Sequence, residues 1–316
     1  MALDIQPCSF HKHAVSILQE AMPVEAIGKN KFARQVLLDP NFRSEGSLLA
    51  RLDGEPVGYI LALSREMPLE NAVDDSDRGY ITLFGVREGT RGKGVGTALL
   101  SRAQAYLKGK GCKSISVSAY APGYFAPGVD VEAYAPGLAF LKSRGYEEVY
   151  RPIAMEAALW NLQTPDWVIQ RELQHREEGV AYTDFTPALI RPLIEFAERV
   201  FRGDWVRVCR ETALKILDGA PSSRLQIALD NRGREPVVLG FSHFDAERFG
   251  PIGVDPDQRG RGIGQVLTYR TLRAQRDLGF RTAWFLWSDD KTAQRLYNAA
   301  GFKVVRRFAL LKKELN

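Results

Sequence analysis

The pattern of apolar and polar positions is repeated in the two halves of the chain. Short apolar runs typical of strands alternate with stretches in which apolar residues recur at helical spacing. One such helical stripe comprises Leu99, Leu100, Ala103 and Leu107, and its counterpart comprises Val266, Leu267, Tyr269 and Leu272. Each half is therefore predicted to contain a strand, two helices, three strands, a helix, a strand, a helix and a final strand.

A glycine-rich loop precedes the helix that carries this stripe in each half. Arg91-Gly92-Lys93-Gly94-Val95-Gly96 recurs as Arg259-Gly260-Arg261-Gly262-Ile263-Gly264. The strand before each loop ends in Gly-Val, at Val86 and at Val254, with the same spacing to the arginine. Because the context matches on both sides of the loop, the sequence predicts a duplicated ligand-binding domain.

A loop of this kind is suited to bind a diphosphate. The first N–H groups of a helix have no partner within the helix, the helix dipole adds positive charge there, and glycine lets a ligand approach the backbone. A dinucleotide fingerprint would space its glycines as Gly-x-Gly-x-x-Gly, and a Walker loop would end in Gly-Lys followed by Ser or Thr. Neither pattern fits, because Gly94 and Gly262 precede Val95 and Ile263. Two glycine turns without a ligand are the remaining alternative.

The element order and the Arg-x-x-Gly-x-Gly loops resemble the GNAT superfamily of N-acetyltransferases over nearly the whole chain. The segment Ala293-Gln294-Arg295-Leu296-Tyr297-Asn298-Ala299-Ala300-Gly301-Phe302 is similar to another sequence mark of that family. The resemblance implies an α/β (α+β) fold with two tandem GNAT-like domains, each a mixed, mostly antiparallel sheet flanked by helices. We expect an N-terminal domain at residues 1–160, a helical linker at 161–177 and a C-terminal domain at 178–316.

The resemblance also implies acetyl-CoA (CoA) as the cofactor. Main-chain N–H groups of each loop would hold the pyrophosphate, basic side chains would add attraction, and the valine before each loop would bind the pantetheine arm. The residues implied are Val86, Arg91, Gly92, Lys93, Gly94, Val95, Gly96 and Thr97 in the first domain, and Val254, Arg259, Gly260, Arg261, Gly262, Ile263, Gly264 and Gln265 in the second.

The two copies differ where the family commonly has a tyrosine that protonates the CoA thiolate. Alignment of Gly145 with Gly301 places Leu141 opposite Tyr297, so the C-terminal domain is the expected site of chemistry. A phenol with a reference pKa of about 10 can donate to a thiolate whose acid has a pKa of about 8.5. A packing role for Tyr297 is the alternative.

A general base is less evident. Neither strand before a loop carries a glutamate, and Glu247 is the candidate upstream of the second one, with His243 and Asp245 beside it. Surface or hairpin roles are the alternative for these three residues, and a chain of water molecules could replace them.

The first half has an insertion rich in Pro, Gly and aromatic residues. Val117 and Gly145 are 28 residues apart, against 14 for Trp287 and Gly301. The insertion could bind the acceptor, with Tyr120, Tyr124 or Tyr134 replacing the missing acid, or it could pack between the domains.

Composition narrows the class of protein. The chain has 316 residues, 45% hydrophobic and 26% charged, and its three cysteines show no disulfide or metal spacing. We expect a cytoplasmic protein without a metal site and without a membrane span. The net charge of +5 arises from dispersed basic residues, which disfavours nucleic acid as a partner.

The sequence therefore predicts an acyltransferase that moves an acetyl group from acetyl-CoA to a primary amine of a small molecule or peptide. We expect it to act as a monomer or homodimer. A non-catalytic acyl-CoA-binding or sensing protein is the alternative, which the missing base favours. The acceptor cannot be predicted, because acceptor-binding side chains come from loops without a transferable code.

Overall fold

In the computed structural model, the described residues are 2–201, 203–289 and 292–315, and the side chains of 292–294 are not described. The chain forms two compact units. The N-terminal unit comprises residues 2–68, 74–152 and 307–315, and the C-terminal unit comprises residues 69–73 and 153–306 apart from the positions left out above.

The helices and strands follow the predicted order, except that the insertion of the first half contains an additional short strand and that two strands follow the last helix of that half. The first half contains β1 (Leu3–Pro7), α1 (His11–Ala21), α2 (Lys29–Phe32), β2 (Ser47–Leu52), β3 (Glu55–Ser64), β4 (Arg78–Val86), α3 (Val95–Gly109), β5 (Ser114–Val117), β6 (Val129–Asp130), α4 (Ala135–Lys142) and β7 (Glu147–Tyr150). The second contains β8 (Ile153–Ala158), α5 (Asp166–Glu177), β9 (Val180–Asp184), α6 (Ile190–Val200), α7 (Trp205–Leu217), β10 (Ser223–Asp230), β11 (Val237–Asp245), β12 (Arg248–Val254), α8 (Ile263–Asp277), β13 (Thr282–Ser288), α9 (Thr292–Ala299) and β14 (Lys303–Glu314). Among the described helices, none has the length and apolar character needed to cross a membrane.

The sheet of the N-terminal unit has the order β1-β2-β3-β4-β5, followed by the end of β14. Neighbours from β1 to β4 are antiparallel, whereas β4 and β5 are parallel. The apolar stripe of α3 packs on one face of the sheet, and Ile17 and Leu18 of α1 pack on the other. This arrangement buries two separate apolar clusters, one on each side of a single sheet.

The C-terminal unit repeats this plan with β9-β10-β11-β12-β13-β8. Again only the step from β12 to β13 is parallel among the strand pairs described for this unit. Helices α6 and α7 cover one face, and the stripe of α8 covers the other.

The repeated Gly-Val pair has a packing explanation. A Cβ atom on Gly85 would lie 2.7 Å from the Cβ of Ala21, and one on Gly253 would lie 2.2 Å from a ring carbon of Phe201. Such contacts are far shorter than packed carbon atoms allow. A helix or aromatic ring therefore presses on the same strand position in each unit, and glycine is needed there.

The terminal strands of the two halves are exchanged relative to the contiguous boundaries that the sequence predicts. β8, expected to end the domain at 1–160, pairs with β13 in the C-terminal unit, from Thr282↔Ala158 onward. The end of β14, expected to complete the domain at 178–316, pairs with β5 through Leu311↔Val117. Both strands follow equivalent helices, so their local patterns cannot reveal which sheet each one joins. The helix α5, expected as a linker, belongs to the C-terminal unit.

This exchange predicts where a core mutation in β14 acts. Leu311 is fully buried in the core of the N-terminal unit. Leu311→Ala should cost about 2–5 kcal/mol and should accelerate hydrogen exchange in Ser114–Val117, measured by mass spectrometry. Val305→Ala is the control, because Val305 lies on the same strand but is exposed. Faster exchange confined to Thr282–Ser288 would contradict the exchange of strands.

Candidate active site

The strands β4 and β5 part after four paired residues. They run side by side from Arg78↔Ser114 to Ile81↔Val117, and β4 then continues to Val86. Among the described strands, only β3 pairs with β4 beyond this point. One edge of residues 82–86 is therefore not used in strand pairing, and we call the place where the strands part the N-terminal fork.

A cavity of about 730 Å³ opens at the N-terminal fork. Its walls come from β4, the first glycine-rich loop, α4, the end of α1 with the segment after it, and the insertion of the first half. Residues that line it include Ile81, Thr82, Phe84, Val86, Arg91, Gly92, Gly94, Gly96, Thr97, Ser118, Phe140 and Leu141. The cavity thus joins the fork to a loop predicted to bind a diphosphate.

The first glycine-rich loop is open to this cavity. Gly92 and Gly94 have φ values of 77° and 81°, and a Cβ atom on either would meet no atom within 4 Å. The helix α3 starts directly afterwards, so its first N–H groups have no partner within the helix. Nearby guanidinium groups add positive charge: Arg91 Nε donates to the carbonyl of Val86 at 3.2 Å, and Arg144 Nη2 donates to Thr97 Oγ1 at 2.9 Å.

The insertion of the first half forms an ordered wall of the cavity. Its strand β6 pairs with β14, and the carboxylate of Asp130 accepts hydrogen bonds from the N–H groups of Glu132 and Ala133. Tyr134 is among the residues that line the cavity. Tyr120 is instead fully buried and hydrogen-bonded to Asn41 and Asp39, each at 2.9 Å, and burial raises the pKa of its phenol. Tyr120 therefore has a structural role.

The second glycine-rich loop is partly covered by α5. Arg171 Nη1 and His175 Nε2 both donate to the carbonyl of Arg261, at 3.2 Å and 2.9 Å. Because a carbonyl only accepts, His175 carries its proton on Nε2, and Nδ1 accepts from the hydroxyl of Tyr182 at 2.6 Å. A Cβ atom on Gly262 would lie 3.3 Å from Cγ of Arg171.

Other predicted residues of the second loop are also engaged. Arg261 pairs with Glu178 at 2.7 Å, so its guanidinium is shared with a carboxylate, whereas Arg259 is exposed. Val254 packs into a small apolar cluster with Ile263. The second loop has the backbone of the first, with φ values of 81° and 91° at Gly260 and Gly262, but different surroundings.

Tyr297 lies in an aromatic cluster where β12 and β13 part. Its ring centroid is 4.6 Å from that of Phe285, 6.0 Å from that of Phe249 and 5.6 Å from that of Phe302. Burial, with a smaller contribution from Asp289, raises the pKa of the phenol well above its usual range. The hydroxyl therefore stays protonated at neutral pH. A protonated phenol is compatible with both roles considered for Tyr297, that of a proton donor and that of a packing residue.

The three candidate bases lie at the hairpin between β11 and β12, with His243 and Asp245 at the end of β11. Glu247 is in the turn before the strand, and its carbonyl accepts from the N–H of Trp284 at 2.9 Å. It is therefore about 20 Å along the strand from Val254 and the loop. Asp245 is held by Lys215 and Ser223 at 2.7 Å each. The structure does not bring these two carboxylates to the second loop.

Comparison with known families decides the class of protein. Residues 15–125 match the model of the acetyltransferase (GNAT) family, and residues 222–304 match that of the acetyltransferase (GNAT) domain. The chain belongs to the GNAT family of acetyltransferases. The predicted tandem of two GNAT domains and the predicted enzyme class are thus confirmed.

Relatives and solved structures cover nearly the whole tandem. The chain is 28% identical over 306 residues to a mycothiol acetyltransferase of Actinosynnema mirum, a match that spans 90% of each protein. It also resembles the GCN5-related glucosamine N-acetyltransferase region of a fungal multi-domain GH3 β-N-acetylglucosaminidase, with a TM-score of 0.79 and 18% identity, over 99% of this chain and 38% of the fungal one. A tandem GNAT protein from the clavulanic acid biosynthesis pathway aligns with a TM-score of 0.65 and 15% identity over 99% and 98% of the two chains. These two structures support the tandem GNAT fold.

Two residues that line the cavity of the N-terminal unit were not predicted from the sequence. Thr82 is the one polar residue in the apolar run from Tyr80 to Val86, a signal that could have singled it out. Arg144 carries no comparable signal, because only the packing of α4 beside the first loop brings its guanidinium there.

His243 is a buried histidine of the C-terminal unit, and its titration provides a test of that burial. Burial, aided by Arg248, lowers the pKa of this histidine to about 4. The unfolded chain then binds more protons than the folded one between about pH 6.5 and pH 4. As the pH falls through that window, the free energy of unfolding should fall by about 3 kcal/mol. His243→Gln should flatten this pH dependence, which urea titrations at several pH values would measure. An equal slope in the variant would contradict this burial.

Proposed function

We propose that the N-terminal unit transfers an acetyl group from acetyl-CoA to a primary amine of a small molecule or peptide. The observation that carries the proposal is the cavity that connects the open glycine-rich loop with the N-terminal fork. The C-terminal unit has a similar loop, but Arg171 lies beside Gly262 and aromatic rings pack where its strands part. This assignment differs from the sequence-based expectation, which placed the chemistry in the C-terminal domain on the basis of Tyr297.

The residues around the cavity fit acetyl-CoA in two regions. The N–H groups of residues 95–97 and the side chains of Arg91 and Arg144 would hold the pyrophosphate. The unpaired edge of β4, including Val86, offers backbone groups to the amides of the pantetheine arm, as a sheet edge does to an added strand. Apolar walls that include Phe84 and Phe140 would keep water from the thioester.

Acetyl-CoA supplies an activated acetyl group: on transfer, a C–N bond to the acceptor forms, the C–S bond breaks, and a proton passes from nitrogen to sulfur. The chain supplies position and charge. Glu20 and Glu25 line the cavity on the side of α1, whereas Arg91 and Arg144 lie at the loop. The guanidinium groups would attract the anionic donor to the loop, whereas the charge of Glu20 is shared with Arg87. The similarity to mycothiol acetyltransferase supports a small-molecule acceptor.

Chemistry in the C-terminal unit is the second candidate, and the position of Tyr297 favours it. The phenol lies beside Phe249 and Phe285, where β12 and β13 part, which is the counterpart of the N-terminal fork. A proton donor at that place would serve a departing thiolate.

The first experiment measures CoA binding and acetylation for Gly94→Val and Gly262→Val. A β-branched residue cannot keep the positive φ of Gly94, and its side chain would enter the open space of the loop. Gly94→Val should weaken CoA binding at least tenfold by calorimetry and abolish acetylation across a panel of amines. Absence of CoA binding to the wild type at millimolar ligand would contradict the proposal, as would loss of acetylation in Gly262→Val alone.

The second experiment decides between the units with Tyr297→Phe, which keeps the ring and its packing. If the N-terminal unit performs the chemistry, kcat should stay within about twofold of wild type, because the phenol lies in the other unit. A general acid at Tyr297 would instead make kcat fall about 10²-fold or more. Steady-state kinetics with the best amine of the panel gives the answer, and such a fall would transfer the assignment to the C-terminal unit.

A further inference from the structure

Two buried hydroxyl groups at the N-terminal fork have no hydrogen-bond partner among the described residues. They are Thr82 Oγ1 and Ser118 Oγ, on residues that are 6% and 4% exposed. Both residues line the cavity. Buried polar groups are nearly always hydrogen-bonded, because an unsatisfied one has lost its water without compensation. Two such hydroxyls in one cavity are placed to bond a ligand that enters it.

The strand register places both hydroxyls at the point of divergence. Thr82 directly follows Ile81, and Ser118 directly follows Val117, the last residues that pair β4 with β5. Thr82 is also the extra residue of a bulge, since Leu61 pairs with Leu83 while the next β3 residue pairs with Ile81.

The packing of β4 shows the same shift. Tyr80 and Leu83 both belong to the cluster on the α1 face, although strict alternation would place residues three apart on opposite faces. Ile81 and Phe84 both pack on the α3 face. The bulge thus removes Thr82 from the alternation of the strand, and bulges commonly redirect a side chain in this way next to active sites.

We propose that the hydroxyls of Thr82 and Ser118 form the hydrogen-bonding site for the thioester carbonyl of the acyl donor. The inference rests on the function proposed above. A donor held at the first loop extends along the free edge of β4, from Val86 back to Thr82, a distance of about 13 Å at the rise of a strand. Its reactive end therefore arrives at the two hydroxyls.

The chemistry of the two groups suits a carbonyl. Hydroxyls are neutral donors that match an uncharged oxygen in the ground state, and they stabilise the negative charge that grows on it during attack by an amine. Residue 141, where the family commonly has a phenol, is a leucine in this unit. When the two strands that end in Gly-Val are aligned, Gly250 corresponds to Thr82. When the pair of β12 and β13 is aligned with the pair of β4 and β5, Leu286 corresponds to Ser118. The C-terminal unit therefore has no hydroxyl at either position.

The test uses the full chain with Thr82→Val and Ser118→Ala combined. Thr82→Ser keeps a hydroxyl, and Ser116→Ala is the matched control, because Ser116 is a buried serine of β5 that does not line the cavity. Isotope-edited infrared spectra of bound [1-¹³C]acetyl-CoA should show a higher carbonyl frequency in the double variant than in wild type. CoA affinity should stay within about threefold, and kcat should fall about 10²-fold or more. The midpoint of thermal unfolding should hold or rise, because two unsatisfied groups are removed.

The outcomes separate this inference from the proposed function. An unchanged carbonyl frequency and an unchanged kcat in the double variant would overturn the inference alone. A raised KM for the amine with an unchanged carbonyl frequency would also overturn it and would assign the hydroxyls to the acceptor. Failure of the wild type to bind acetyl-CoA, or to acetylate any amine, would overturn the proposed function and the inference with it.

Discussion

The early separation of β4 from β5 determines how the N-terminal unit can work. Backbone N–H and C=O groups of a buried strand need partners, and residues 82–86 have none from β5 on one edge. That edge, the first glycine-rich loop and the insertion surround one cavity. The strand β6 of the insertion pairs with β14, so the insertion is a folded part of the N-terminal unit. The fork therefore creates both the space for a donor and the backbone groups that would hold it.

The C-terminal unit uses the same framework with larger side chains. Where the N-terminal fork has Ile81, Val117 and Leu141, the corresponding positions carry Phe249, Phe285 and Tyr297, and the three rings pack on one another. The second loop in turn is supported by α5 through Arg171 and His175. Bulk and cover are thus added in the C-terminal unit while the backbone is kept, which supports the proposal that the N-terminal unit carries the chemistry.

Local features of the chain were predictable from the sequence, whereas long-range pairing was not. The paired loops and the helical stripes follow from periodicity and glycine spacing, which are short-range properties. The two-domain GNAT architecture was predicted from the resemblance of these features to that family. The exchange of β8 and β14 leaves no local trace, because each strand would satisfy either sheet edge. The contact of Arg171 with the second loop depends on how α5 packs, and the bulge at Thr82 depends on the register of β3. Residue patterns do not encode these directly.

A crystal structure of the full chain with acetyl-CoA would show directly which unit holds the acyl donor. If the N-terminal unit carries the chemistry, the pyrophosphate contacts the N–H groups after Gly94, and the thioester lies between β4 and β5, beside Thr82 and Ser118. Acetyl-CoA found only between β12 and β13, with its sulfur beside Tyr297 and the cavity of the N-terminal unit empty, would contradict that assignment.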